Sequence, residues 1–191
     1  MRTRLYKAIE LEKGYTPVVS PSNSELKYIE FGRLYLPKKG DEYVGKTGSR
    51  ETVLTVFTGK ASVEAETQSQ NVSYAMIGKR RDVFLGKPTM VYLPRNTQYR
   101  VTAKTNELEV GVSMAPSAQD CPPALANPED VIERTVGAWN WRRKVYTAIG
   151  GDVEASRLLV GETINPPGNW SSSPPHKHLS LIHISEPTRP Y

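Results

Sequence analysis

A period of two, repeated along much of the chain, constrains this sequence more than any other feature. Leu108, Val110, Val112 and Met114 alternate with Glu109, Gly111 and Ser113, so an extended backbone puts one set on a core and the other toward water. Tyr99, Val101 and Ala103 alternate with Arg100, Thr102 and Lys104 in the same way. Val53 to Phe57 is a continuous run of apolar residues and threonine ending at Gly59, the pattern of a strand covered on both faces. From Phe31 to Met114 such stretches recur between Gly, Pro, Asn and Lys, and helical periodicity is nearly absent. The expectation is an all-β sandwich or barrel.

Between Ala115 and Asp130 the composition shifts to Pro, Ala, Ser, Asn and Asp, which reads as a linker or a crossing between sheets. Two continuations are open at Asn127-Pro128-Glu129-Asp130. One is a helix, with Asn127 as N-cap and Pro128 at the first helical position. The other is a strand, favoured by the β-rich run through Val145 and Tyr146. A second β segment follows, with Ala155 to Ile164 expected as a strand leading into Asn165-Pro166-Pro167-Gly168.

At 191 residues, 38% hydrophobic and 24% charged, the chain fits a globular protein and excludes disorder, collagen and coiled coil. A single cysteine, Cys121, rules out an intramolecular disulfide and a cysteine-based zinc site. No run approaches the ~18 to 20 apolar residues of a spanning helix. The basic start, Met1 to Lys7, meets Glu10 and Glu12 without an apolar stretch, so a cytoplasmic protein with no membrane partner is expected. The net charge of +5 invites a nucleic-acid partner, but the basic residues are scattered. The dense spots, Lys79-Arg80-Arg81 and Arg142-Arg143-Lys144, are short and lack interleaved aromatics. They read as solvated surface, and no nucleic-acid partner is expected.

All three histidines, His176, His178 and His183, lie near the C-terminal end. His176-Lys177-His178 is an H-x-H pair, and on a strand residues two apart share a face, so both imidazoles can reach one cation. Lys177 then points the other way and reads as structural or solvated.

The approach to that pair, Gly168-Asn169-Trp170-Ser171-Ser172-Ser173-Pro174-Pro175, resembles the glycine-led first motif of a cupin. Pro94-Arg95-Asn96-Thr97-Gln98-Tyr99 resembles the second motif of another, with Asn96 at the glycine place and Tyr99 at the histidine place. Asn tolerates left-handed backbone. Gly48-Ser49-Arg50-Glu51 resembles a first motif with its glutamate, but no histidine precedes it. With Glu30 to Leu34, Asn140 to Val145 and Ala155 to Thr163, these blocks make the chain similar to the bicupin sugar isomerases of the 5-deoxy-glucuronate isomerase family of inositol catabolism.

The resemblance implies a bicupin jelly roll, an antiparallel β-sandwich whose second cupin is incomplete. Residues 1–125 would be a cupin without metal ligands, serving fold or dimer contacts. Residues 126–150 would be linker and crossing strands, 151–178 the start of a catalytic cupin, and 179–191 a non-native tail. It implies conversion of 5-deoxy-D-glucuronate to 5-dehydro-2-deoxy-D-gluconate, an aldose-ketose isomerisation whose redox balance is internal. His176 and His178 would ligate a divalent metal ion, zinc, manganese or iron, as Lewis acid. Asn169 and Trp170 would line the mouth of the substrate cavity, although a tryptophan beside a Gly-Pro loop also serves packing. The general base is expected beyond His178, and the only partner expected is the small-molecule uronate, with a homo-oligomer left open. The alternatives are the isomerase of 5-dehydro-4-deoxy-glucuronate from pectin breakdown and a sugar-binding cupin without turnover.

After His178 the chain departs from that family. Leu179-Ser180-Leu181-Ile182-His183-Ile184-Ser185-Glu186-Pro187-Thr188-Arg189 reads as one frame of the transposase end CTGTCTCTTATACACATCT continued by CCGAGCCCACGAGAC, an eleven-residue identity. His183 is therefore not expected to be a ligand, and the chain as it stands is expected to be inactive. Resequencing the locus is expected to replace Leu179 to Tyr191 with a continuation bearing a glutamate and a further histidine. Recovery of the same tail from independent clones would overturn this reading.

Overall fold

A computed structural model describes residues 10–171 of the chain. Ten strands alternate with short turns through the first part: β1 (Gly14–Val19), β2 (Glu30–Leu36), β3 (Glu42–Lys46), β4 (Arg50–Thr58), β5 (Ala61–Glu66), β6 (Asn71–Ile77), β7 (Thr89–Leu93), β8 (Gln98–Ala103), β9 (Leu108–Pro116) and β10 (Ala124–Ala126). Three more follow, β11 (Ile132–Val136), β12 (Arg143–Ile149) and β13 (Val160–Ile164). The only helical element among the described residues is a 3₁₀ turn at Trp139–Trp141.

All strand pairs are antiparallel, in three sheets. The orders are β1-β2-β9-β4-β7-β10, β3-β8-β5-β6 and β11-β12-β13. The first two close on each other as a jelly-roll sandwich, and the alternation in the sequence sets what faces inward. Leu34 and Leu36 on β2, Leu54 and Val56 on β4, Val101 on β8, and Leu108 and Val110 on β9 are buried between them.

The third sheet covers the outer face of the large sheet. Val53 on β4 and Met90 and Tyr92 on β7 point away from the sandwich interior and pack with Tyr146, Ala148 and Ile149 of β12. Thus the central strands β4 and β7 are dry on both sides, which accounts for the unbroken apolar run at Val53 to Phe57. The described residues form three layers around two cores.

One open alternative is decided and one expectation is corrected. No helix starts at Asn127: the Asp130 amide donates to the Asn127 carbonyl and the Asn127 amide to the Asp130 carboxylate, closing a turn. The β-branched run Ile132–Val136 then pairs with β12 as a strand. The strand expected over Ala155 to Ile164 is limited to Val160–Ile164, because the amides before it are committed elsewhere.

Val53 is fully buried on the face that an isolated sandwich would expose to water. Val53→Ala is expected to cost about 2 kcal/mol of unfolding free energy in urea titration. Val44→Ala, at a half-exposed position on edge strand β3, is expected to stay within about 0.5 kcal/mol. Equal effects would mean that the third layer does not seal β4.

Candidate active site

The segment leading toward the histidine pair is fixed in place by two charged groups of the sandwich. Glu51 on β4 is fully buried, with no exposed surface. Its Oε2 accepts from the Tyr92 hydroxyl and the Ser156 amide, both at 2.8 Å. Its Oε1 accepts from the amides of Arg157 and Leu158, both at 2.7 Å. Three successive N–H groups form a concavity for the anion, and four donors satisfy the carboxylate in full. Burial, and then the hydrogen bond to Glu51, push the Tyr92 phenol well above its ordinary value, so it remains a donor.

The second tie is Arg80, read from sequence as solvated surface and found buried. Its Nη1 and Nη2 meet Glu162 Oε2 and Oε1 at 2.6 and 2.5 Å, a bidentate pair across from β13. The same guanidinium donates to the carbonyls of Val83, Gly86 and Val56, at 3.3, 3.3 and 3.4 Å. Its neighbour Lys79 fits the solvated reading, pairing with Glu129 at an exposed site.

Downstream of β13 the Asn165-Pro166-Pro167-Gly168 stretch turns sharply. The Asn169 amide donates to the Pro166 carbonyl at 3.1 Å, Pro167 sits at the second position, and Gly168 takes φ +79° at the third. That is a type II turn, which needs glycine there. The turn lands on the Asn140–Arg142 segment: Asn169 Nδ2 donates to the Arg142 carbonyl and the Trp170 amide to the Asn140 carbonyl, both at 2.7 Å. Asn169 thus spends its side-chain amide on the backbone, while the Trp170 ring remains about half exposed. His176, Lys177, His178 and His183 lie outside the described residues.

In the N-terminal sandwich Glu51 and Tyr99 face different cores. Arg50, Thr52, Leu54 and Val56 face the interior of the sandwich, so Glu51 faces the third layer instead. Tyr99 points inward beside Tyr43, with ring centroids 6.2 Å apart. Asn96, at the expected glycine place, takes φ +56° and donates its amide to the Gly48 carbonyl at 2.6 Å. Among the described residues no group of three or more His, Cys, Asp or Glu side chains could hold a metal ion.

The sequence signal for Glu51 is slight, an acid two residues before the apolar run Val53 to Phe57, and a buried, partnered carboxylate explains it. For Arg80 the local sequence carries no signal, since its partner lies 82 residues away.

The KduI/IolB family model matches residues 5–184. The chain belongs to the KduI/IolB family. It is 36% identical over 168 residues to the 5-deoxy-glucuronate isomerase of Geobacillus kaustophilus, covering 87% of this chain and 59% of that protein. To the enzyme of the same name from Bacillus subtilis it is 35% identical over 163 residues, covering 84% and 58%. The crystal structure of an IolB-like protein from Salmonella typhimurium superposes with a TM-score of 0.78 at 30% identity, covering 87% of this chain and 62% of that one. The chain therefore spans about three fifths of the length of the curated relatives it matches.

Removing the Glu51 carboxylate strands Tyr92 and three amides between layers. Glu51→Ala is expected to lower stability by about 3–5 kcal/mol in urea titration. Arg80→Met alone should cost a similar amount by leaving Glu162 unpaired, and Arg80→Met with Glu162→Leu should recover most of it. If the double variant is as unstable as the single, the pair is not the contact that matters.

Proposed function

We propose that this chain is part of an aldose-ketose isomerase converting 5-deoxy-D-glucuronate to 5-dehydro-2-deoxy-D-gluconate. The observation that carries the reading is the 36% identity to a protein named for that isomerase, over 168 residues. In this reading residues 1–125 form a cupin without metal ligands and residues 151–178 open the catalytic one. His176 and His178 ligate a divalent cation, with zinc, manganese and iron all compatible with imidazole and oxygen donors. When bound, such a cation supplies the Lewis acidity that makes the hydrogen beside the substrate carbonyl acidic.

The described residues contribute placement. Glu51 fixes the loop before β13, Arg80 fixes β13 through Glu162, and Asn169 pins the turn after it to the Arg142 carbonyl. The H-x-H pair therefore follows a segment held at three points. Trp170, with its ring half exposed, is assigned to the rim of the substrate cavity. The substrate is a small soluble uronate and the location assigned is the cytoplasm; no helix among the described residues is long and apolar enough to cross a membrane.

The test uses the complete gene product, assayed on 5-deoxy-glucuronate and on 5-dehydro-4-deoxy-glucuronate with metal content measured. Turnover on the first uronate is expected. His176→Ala and His178→Ala should each lose bound metal and turnover together, by at least the roughly 10- to 100-fold that a change beside a ligand already costs. Lys177→Ala should keep its metal. Histidine variants that retain both metal and turnover would remove the site assignment. Turnover only on the second uronate would move the protein to the pectin reaction, and binding without turnover on either would leave a sugar-binding protein.

A further inference from the structure

The N-terminal sandwich has two unlike ends. One is filled: Leu36, Val56, Ala61, Ala103 and Leu108 close it with buried apolar side chains. At the other end the inward-facing positions carry Glu30 on β2, Arg50 on β4 and Tyr99 on β8, and Tyr15 and Tyr43 join them around a cavity of about 450 Å³. That volume lies within the range of about 300–1,000 Å³ that small-molecule sites occupy.

The wall of this cavity is built, because backbone has been cleared to seat its rings. A Cβ on Gly32 would come within 2.4 Å of the Tyr15 ring. One on Gly45 would come within 2.5 Å of the Tyr99 ring. Tyr15, Tyr43 and Tyr99 then form a row, with neighbouring centroids 6.2 Å apart. Burial, and then the Glu30 carboxylate, push the Tyr15 phenol up to about 12, and burial raises Tyr43 as well, so both hydroxyls keep their protons near neutral pH.

The charges select among ligands. Arg50 Nη1 is paired with Glu30 Oε2 at 2.5 Å, which cancels one cation with one anion. Lys46 at the rim has no ion pair among the described residues, so the cavity carries one cation in excess. A metal ion or an amine would be repelled by it, and a dianion would be opposed by Glu30. A single negative charge with several hydroxyl groups matches one free ammonium and neutral phenols.

We propose that this cavity is a second ligand site, taking a small polyhydroxylated monocarboxylate whose carboxylate meets Lys46 and whose hydroxyls meet Tyr15 and Tyr43. The site lies in the sandwich, apart from the segment that leads to His176 and His178, and does not depend on the isomerase assignment.

Saturation-transfer NMR and titration of the full chain test it, with D-glucuronate as probe and D-glucose as the uncharged control. Glucuronate is expected to bind, to bind equally to the His176→Ala/His178→Ala double variant, and to bind about tenfold more weakly to Lys46→Met. Glucose should bind the unaltered chain about tenfold more weakly than glucuronate and should not distinguish it from Lys46→Met. Tyr15→Phe should weaken both sugars, which separates hydroxyl recognition from charge. Lys46 is exposed, so its replacement should leave the melting temperature unchanged and the fold intact. Absence of glucuronate binding would overturn the proposal. So would binding that disappears in the histidine variant and is indifferent to Lys46→Met.

Discussion

A carboxylate with no access to water is the condition on which the arrangement of layers depends. Glu51 sits near the start of β4 on a dry sheet face, where an unpaired charge would cost several kcal/mol. Only Tyr92 comes from the same sheet; the other three donors are the backbone amides of Ser156 to Leu158. Backbone amides cannot rotate independently as side chains do, so satisfying one carboxylate with three of them fixes the position and the direction of that stretch together. Two residues later β13 begins, with its register against β12 already limited by where Leu158 has been placed. The Arg80 to Glu162 pair then holds the same strand at its middle residue. Neither interaction is a cheap source of stability, since both bury charge. Their value is that few other arrangements of the third layer satisfy both.

This explains why β4 and β7 differ from the strands around them. In a free-standing sandwich each strand has a wet face, and alternation shows in its sequence. Here Val53, Met90 and Tyr92 are as buried as Leu54, Val91 and Leu93. The edges are treated differently: β3 leaves Val44 half exposed and β6 leaves Met76 half exposed, as edge strands do. The large sheet is thus an inner layer where β4 and β7 run, while the four-stranded sheet that faces it ends in two wet edges.

Much of this was legible in the chain because period-two alternation is a local signal. The faces of β8 and β9 could be assigned residue by residue, the double-sided cover of β4 followed from its unbroken run, and the left-handed Asn96 followed from its standing at the glycine place of the resembled motif. What could not be read depends on pairings distant in sequence. Ala155 to Leu159 looked like strand because Leu158, Leu159 and Val160 are apolar, yet three of those amides point at a carboxylate 105 to 107 residues away. An amide given to Glu51 is not available to a ladder, so the strand starts late. Arg80 failed for the same reason. Its neighbours Lys79 and Arg81 are exposed, and nothing within its own turn reveals a glutamate on β13. The motif resemblance at Gly48 to Glu51 does not say which way the glutamate faces: Arg50 lines the sandwich interior, and its neighbour Glu51 turns to the third layer.

The polar end of the sandwich poses the remaining energetic question. Filling it with Leu or Phe would add roughly 1.5–3 kcal/mol per buried side chain. The sequence instead keeps an arginine, a glutamate and three tyrosines there, and gives up a side chain at Gly32 and at Gly45 to seat two of the rings. Each inward glycine adds backbone freedom to the unfolded chain, which weakens a strand by about 0.5–1 kcal/mol. Glycines at the packed end, Gly59 and Gly78, make room for buried Leu108 and Val56, whereas Gly32 and Gly45 make room for rings that line the cavity. Ring positions are held by the backbone, the charged pair is held by its own hydrogen bond, and Lys46 stands at the rim without an ion pair among the described residues. A structure that fixes its hydroxyl groups in advance leaves a ligand little ordering to do on arrival, so even a weak polar contact there retains most of its free energy.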